Sequence, residues 1–130
     1  MNIIPKIGQI LYEEKLDENG ALIYSALLYV DTEFIPDEGL YVTWIAQMED
    51  FEGNGLEVYT NASSGGSNLK NISRIATDDD IKLFVEVIKK SKNSNEKLDN
   101  WIKNINEAED FALLLSEEKE RLKRIINQNR

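Results

Sequence analysis

Gln9-Ile10-Leu11-Tyr12-Glu13-Glu14-Lys15-Leu16-Asp17-Glu18-Asn19-Gly20-Ala21-Leu22-Ile23-Tyr24-Ser25-Ala26-Leu27-Leu28-Tyr29-Val30 can be read in two ways, and the fold class turns on which is right. Residues 9–16 and 21–30 carry Tyr, Ile and Val, good strand formers, and Asp17-Glu18-Asn19-Gly20 between them is turn chemistry. Together they spell a β-hairpin and an α+β chain, with the helices towards the C-terminus. The helical template fits as well. Leu22, Ala26 and Val30 fall near one face, and further along Leu40, Trp44, Ile45 and Met48 fall on another, with Pro36 and Asp37 marking a helix start. Periodicity leaves the two readings level.

Helical signals are plainer in the second half. Ile81, Phe84, Val85 and Ile88 stand at i, i+3, i+4, i+7, one apolar stripe that Thr77 can cap and that Asp78, Asp79 and Asp80 open. Three acids in a first turn complement the helix dipole. A calcium loop would need alternating oxygen ligands and a closing Glu, which this run lacks. Lys92-Asn93-Ser94-Asn95 reads as a polar connector, after which Leu98, Trp101, Ile102 and Ile105 repeat the helical spacing. Residues 106–110 interrupt it, and Phe111, Leu114, Leu115, Leu122, Ile125 and Ile126 resume it as a last helix, or two with a bend. Trp44 and Trp101 sit in apolar stripes and are expected as core anchors.

Gly53-Asn54-Gly55 and Ser63-Ser64-Gly65-Gly66-Ser67 flank the short segment Leu56 to Ala62 and permit tight turns. No glycine loop ends in Gly-Lys-Ser/Thr, so a phosphate loop is excluded. Leu69, Ile72, Ile75 and Ala76 are expected to form a short helix before Thr77.

At 130 residues and 42% hydrophobic composition the chain is the size of one domain, 1–130. No stretch approaches the ~18 apolar residues of a membrane-spanning helix. The N-terminal residues lack the pattern of a secretory signal, and a cytoplasmic location is the expectation. With no cysteine and no histidine, disulfides, thiolate nucleophiles, imidazole bases and most transition-metal sites are unavailable. Close carboxylates such as Glu13/Glu14 and Glu49/Asp50 are what remains for catalysis. Neighbouring acids on a helix point apart, with no positioned partner to separate their pKa values, so no enzyme, cofactor or metal is expected.

Charge is the most informative feature. The chain carries a net −9, and residues 1–60 hold twelve Asp or Glu against only Lys6 and Lys15. Residues 61–130 hold twelve acids against thirteen Lys or Arg, a charge-balanced and mostly helical half. A one-signed field accelerates encounter with an oppositely charged surface, so the acidic half implies a basic partner and repels nucleic acid. The plainer reading is an acidic surface that serves solubility.

The stretch Pro36-Asp37-Glu38-Gly39-Leu40-Tyr41-Val42-Thr43-Trp44-Ile45-Ala46-Gln47-Met48-Glu49-Asp50-Phe51-Glu52-Gly53-Asn54-Gly55, with Tyr59-Thr60-Asn61 and Ser63-Ser64-Gly65, resembles the signature of the bacterial DNA-mimic protein family of the DMP type. That family has a helix containing Leu-Tyr and Trp, an Asn-Gly-Gly-Phe turn, an aromatic pair and Asn-Ser-Ser-Gly. Leu98-Asp99 and Glu109-Asp110-Phe111-Ala112-Leu113-Leu114 are similar to its closing helices. The resemblance implies an all-α fold, a compact single-domain helical bundle in which 36–52 is a helix and 56–61 begins another helix or an extended link. It also implies acidic side chains that imitate the phosphate path of DNA and fill the DNA site of a regulator.

The side chains expected to do so here are Asp31, Glu33, Asp37, Glu38, Glu49, Asp50, Glu52 and Glu57. Each, taken alone, reads equally well as a solvated helix end. The function expected is therefore an inhibitor or regulator that occupies the basic site of a nucleic-acid-binding protein, without touching nucleic acid or membrane itself, and with a homodimer left open. The alternative is an immunity or antitoxin-like protein that neutralises a basic toxin.

Overall fold

The computed structural model describes residues 6–31, 40–50, 53, 55–60, 63–67 and 72–130. The fold is α+β: six strands, β1 (Ile10–Leu16), β2 (Leu22–Val30), β3 (Leu40–Glu49), β4 (Glu57–Tyr59), β5 (Ser63–Ser67) and β6 (Ile72–Ile75), then α1 (Asp78–Lys89), α2 (Ser94–Glu107), a 3-10 turn at Glu109–Phe111 and α3 (Ser116–Asn129). This overturns the all-α expectation and confirms the hairpin alternative. Residues 40–49, expected as helix, are a strand. So is Ile72–Ile75, where a short helix was expected, and Glu57–Tyr59 takes the extended option.

The helical reading of β2 and β3 fails for a physical reason. Every residue from Ser25 to Val30 is buried, so β2 is covered on both faces and shows no alternation of period two. A strand buried on both sides is a near-continuous apolar run, in which a 3–4 spacing can always be found. What remains as signal is residue type. Val42, Thr43, Trp44 and Ile45 are β-branched or aromatic and suit a pleated backbone better than a helical one.

The β1–β2 turn is legible in detail. Asp17 Oδ1 accepts from the backbone N–H groups of Asn19 (2.8 Å) and Ala21 (2.9 Å), and Gly20 takes the left-handed conformation (φ +81°) that closes such a loop. All pairings are antiparallel, in the order β4-β3-β2-β1-β6, with β5 on β3 beside β4. Four residues separate β5, which lies on β3, from β6, which lies on β1. In a flat sheet those strands would stand four spacings apart, about 19 Å, with their facing ends at different heights. The five Cα steps from Ser67 to Ile72 reach about 19 Å at most, so the sheet curls.

One face of the sheet carries Ile10, Tyr12, Leu27, Tyr29, Ile45 and Met48 and packs against Ile81, Phe84, Leu98, Trp101, Phe111, Leu122 and Ile126 of the helical layer. The other face holds a smaller cluster, Leu11, Ala26, Leu28, Val30 and Val42, with Tyr24 and Trp44 against it. Trp101 is the fully buried anchor expected of it, whereas Trp44 is only half-buried.

α1 begins as its sequence predicts. Thr77 and Asp80 form a reciprocal capping box, and Asp80 also receives two hydrogen bonds from the Arg74 guanidinium. α3 is fastened to the sheet at Glu118, whose Oε2 accepts from Ile10 N–H (2.8 Å) and from Arg121 (3.0 Å), while Arg121 also donates to the Ala76 carbonyl. Gly8 completes this seam. Its carbonyl accepts from Leu115 N–H, and a side chain there would collide with the Leu113 carbonyl.

Candidate functional site: the acidic end of the sheet

Strand register decides which acids meet. Glu49 stands directly opposite Glu57 across the β3–β4 pair, and Asp50 follows where β3 ends. The β1–β2 turn with Asp17 and Glu18 lies at the same end of the sheet, since Lys15 pairs with Tyr24 and Ser25 with Met48. Asp17, Glu18, Asp50 and Glu57 are exposed and Glu49 is half-buried. Like charges directly opposite on paired strands repel, so Glu49 and Glu57 are held together against their own electrostatics.

Of the residues expected to form the site, Glu49, Asp50 and Glu57 are thus brought together. Asp31 is not. It follows the far end of β2, and the seven-residue step along β3 from Val42, the partner of Val30, to Glu49 covers about 24 Å. Half-buried, Asp31 accepts a 2.7 Å hydrogen bond from the buried Thr43 hydroxyl, a structural contact. Glu33, Asp37, Glu38 and Glu52 lie outside the described residues. Asp17 and Glu18 join the site without having been singled out, because only the hairpin register places their turn beside the end of β3.

Six cations of the second half, Arg74, Lys89, Arg121, Lys123, Arg124 and Arg130, are engaged with acids of that same half. The seven ion pairs among the described residues all join partners between Arg74 and Arg130: Asp78, for example, is shared by Arg121 and Arg124, and Asp99 holds Arg130. Glu18, Glu49, Asp50 and Glu57 enter none of them.

Glu13 and Glu14, adjacent in sequence, leave β1 on opposite faces, as strand geometry requires. Glu13 is buried on the side away from the helices and accepts from the Tyr24 hydroxyl at 2.6 Å, which in turn accepts from Trp44 Nε1 at 3.2 Å. Burial, then the hydrogen bond to Glu13 and its charge, push the Tyr24 phenol well above its ordinary value. Glu14 accepts from Tyr12 at 2.7 Å on the helix side, and burial followed by that hydrogen bond raises Tyr12 to about 12. A phenol so held stays protonated at neutral pH, and each carboxylate is occupied by one, so neither pair is poised for proton transfer.

A second concave feature lies beside this end. A groove of about 470 Å³ lies between residues 56–60 and the helical layer, lined on the helical side by Val87, Ile88 and Lys90 from the end of α1 and by Lys97, Asn100 and Asn104 of α2. Lys97, Asn100 and Asn104 recur at i, i+3, i+7, a polar helix stripe flanking the buried one, and that spacing is the only trace of the groove in the sequence. No group of three or more metal-ligating side chains occurs among the described residues, and no helix among them is long and apolar enough to cross a membrane. No family model, curated protein or solved structure matches the chain.

Proposed function

We propose that the protein acts by binding, not by catalysis, and that the acidic end of its sheet occupies a cationic site on another protein, in the first place the nucleic-acid site of a nucleic-acid-binding protein. The supporting observation is that Glu49, Asp50 and Glu57 come to the same end of the sheet as Asp17 and Glu18, and that none of these five enters an ion pair among the described residues. The reading stands on charge placement, because the helix that the DNA-mimic resemblance requires over 36–52 is a strand in its described part.

Duplex DNA presents one negative charge per ~1.7 Å of axis, and a Lys/Arg groove built for it accepts carboxylates at comparable density. Cross-strand neighbours such as Glu49 and Glu57 have Cβ atoms ~5 Å apart, which supplies that density on a rigid frame. The repulsion stored between them is relieved when a guanidinium or ammonium inserts. The proposal puts the encounter in the cytoplasm, and with no cysteine in the chain it does not depend on redox conditions.

The test is capture of partners from lysate by the immobilised protein at rising salt. The screening length falls from ~10 Å at 0.1 M to ~3 Å at 1 M. Partners should be basic and should be shed as salt rises; retention indifferent to salt, or partners without basic surfaces, would count against the proposal.

A further inference from the structure

The groove beside β4 has a wall of unusual kind. Residues 56–60 line it, among them all three strand residues Glu57–Tyr59, although successive side chains of a strand point to opposite faces. Val58 faces the helical core, so Glu57 and Tyr59 border the groove along the strand's edge. β4 is the last strand of the sheet order on that side and pairs with β3 alone among the described residues, so no described strand lies on its outer edge. An uncovered edge is a template for one more strand.

The opposite wall fixes the chemistry of what fits. Lys90 at the end of α1 and Lys97 on α2 enter no ion pair among the described residues, and Asn100 and Asn104 continue the Lys97 stripe with amide donors. From Lys97 to Asn104 the helix rises about 10.5 Å, the length of about three residues of extended chain at ~3.4 Å each. Glu57 does not cancel this charge. It shares a sheet face with its cross-strand partner Glu49, and that face is the one opposite the helices, because the next residue of β4, Val58, packs on the helical core as does its partner Met48.

We propose that this groove binds an extended, carboxylate-bearing segment of a partner protein, which adds as a strand along the outer edge of β4 while its acidic side chains meet Lys90 and Lys97. The site is separate from the acidic sheet end and takes a ligand of opposite charge. Two surfaces of opposite sign, on adjoining sides of one strand, would let the protein hold a partner carrying both a basic site and an acidic tail.

The experiment uses the full chain and a labelled acidic probe, the acetylated and amidated hexapeptide Thr-Glu-Val-Asp-Val-Glu, followed by fluorescence anisotropy and by amide NMR. Binding is expected with shifts concentrated in residues 56–60. The double variant Lys90→Glu/Lys97→Glu, whose substituted side chains are exposed and whose fold is checked by its NMR spectrum, should weaken it at least tenfold. A probe with N-methylated alternate peptide bonds, which keeps the charges and loses backbone donors, should fail to bind.

Absence of binding at millimolar probe overturns the proposal, as does equal binding of the N-methylated probe or of a Lys-for-acid version. Concentration-dependent dimerisation that buries 56–60 and is not displaced by the probe also overturns it, because the edge would then belong to a second copy.

Discussion

Glu57→Lys is expected to make the folded protein more stable and the binding protein worse. Glu57 faces Glu49 directly across the β3–β4 pair, and neither enters an ion pair among the described residues. Like charges so placed cost about 0.2–1 kcal/mol, and opposite charges there contribute about as much in the favourable sense, so the reversal is worth about 0.4–2 kcal/mol. With an unfolding entropy of about 2.1 cal/mol/K per residue, a chain of 130 residues has about 0.27 kcal/mol/K at its midpoint. Tm should therefore rise by about 2–7 °C in low-salt thermal melts followed by circular dichroism. The gain should shrink at 1 M salt, where the Debye length is ~3 Å. The neutral variant Glu57→Gln should fall between. A Tm that stays the same or drops at low salt would refute the register from which the repulsion was read, and a gain untouched by salt would refute its electrostatic origin.

Three further outcomes follow from packing and titration. Gly8→Ala forces a side chain into the left-handed region (φ +83°) and against the Leu113 carbonyl, which should cost about 2–4 kcal/mol in urea denaturation; a loss under about 0.5 kcal/mol would mean that the seam to residues 113–115 is not formed. At Asp80, burial opposes ionisation, but hydrogen bonds from Arg74 and Thr77 outweigh it and hold the carboxyl below its ordinary 3.8. The stability this gives is present above pH 3.8 and is lost as pH falls through the lower native value, so Asp80→Ala should cost about 1–3 kcal/mol near neutrality and flatten the acid limb of the stability profile. Tyr12 behaves in the opposite sense: its stabilising contribution is intact below pH 10 and disappears as pH rises through about 12. Phenolate absorbance should show Tyr12 ionising well above pH 10, and a single transition near pH 10 for all five tyrosines in the folded protein would contradict its buried bond to Glu14.

What the sequence displayed was local. Thr77-Asp78-Asp79-Asp80 announces a helix start and forms one, and Asp17 to Gly20 announces a hairpin turn and forms one, because each rests on contacts within a few residues. The strand nature of 40–49 was hidden, since burial of both sheet faces removes the alternation by which a strand is recognised. The candidate site was half legible. Glu49, Asp50 and Glu57 were singled out by charge, but Asp31 was grouped with them although β2 carries it to the far end of the sheet. Only the register of β1, β2 and β3 adds Asp17 and Glu18, and register is a property of pairing between distant segments. The groove was hidden for the same reason: Lys90 and Lys97 acquire meaning only once β4 lies alongside α1 and α2.

The most direct measurement is amide NMR of the labelled protein titrated with a cationic peptide, deca-lysine, at low and high salt. Shifts should concentrate on Asp17, Glu18, Glu49, Asp50 and Glu57, vanish at 1 M salt, and be lost in the Glu49→Gln/Asp50→Asn/Glu57→Gln variant. Shifts spread evenly over the acids of the helical layer, such as Asp79, Glu96 and Glu107, would contradict a binding surface at the sheet end.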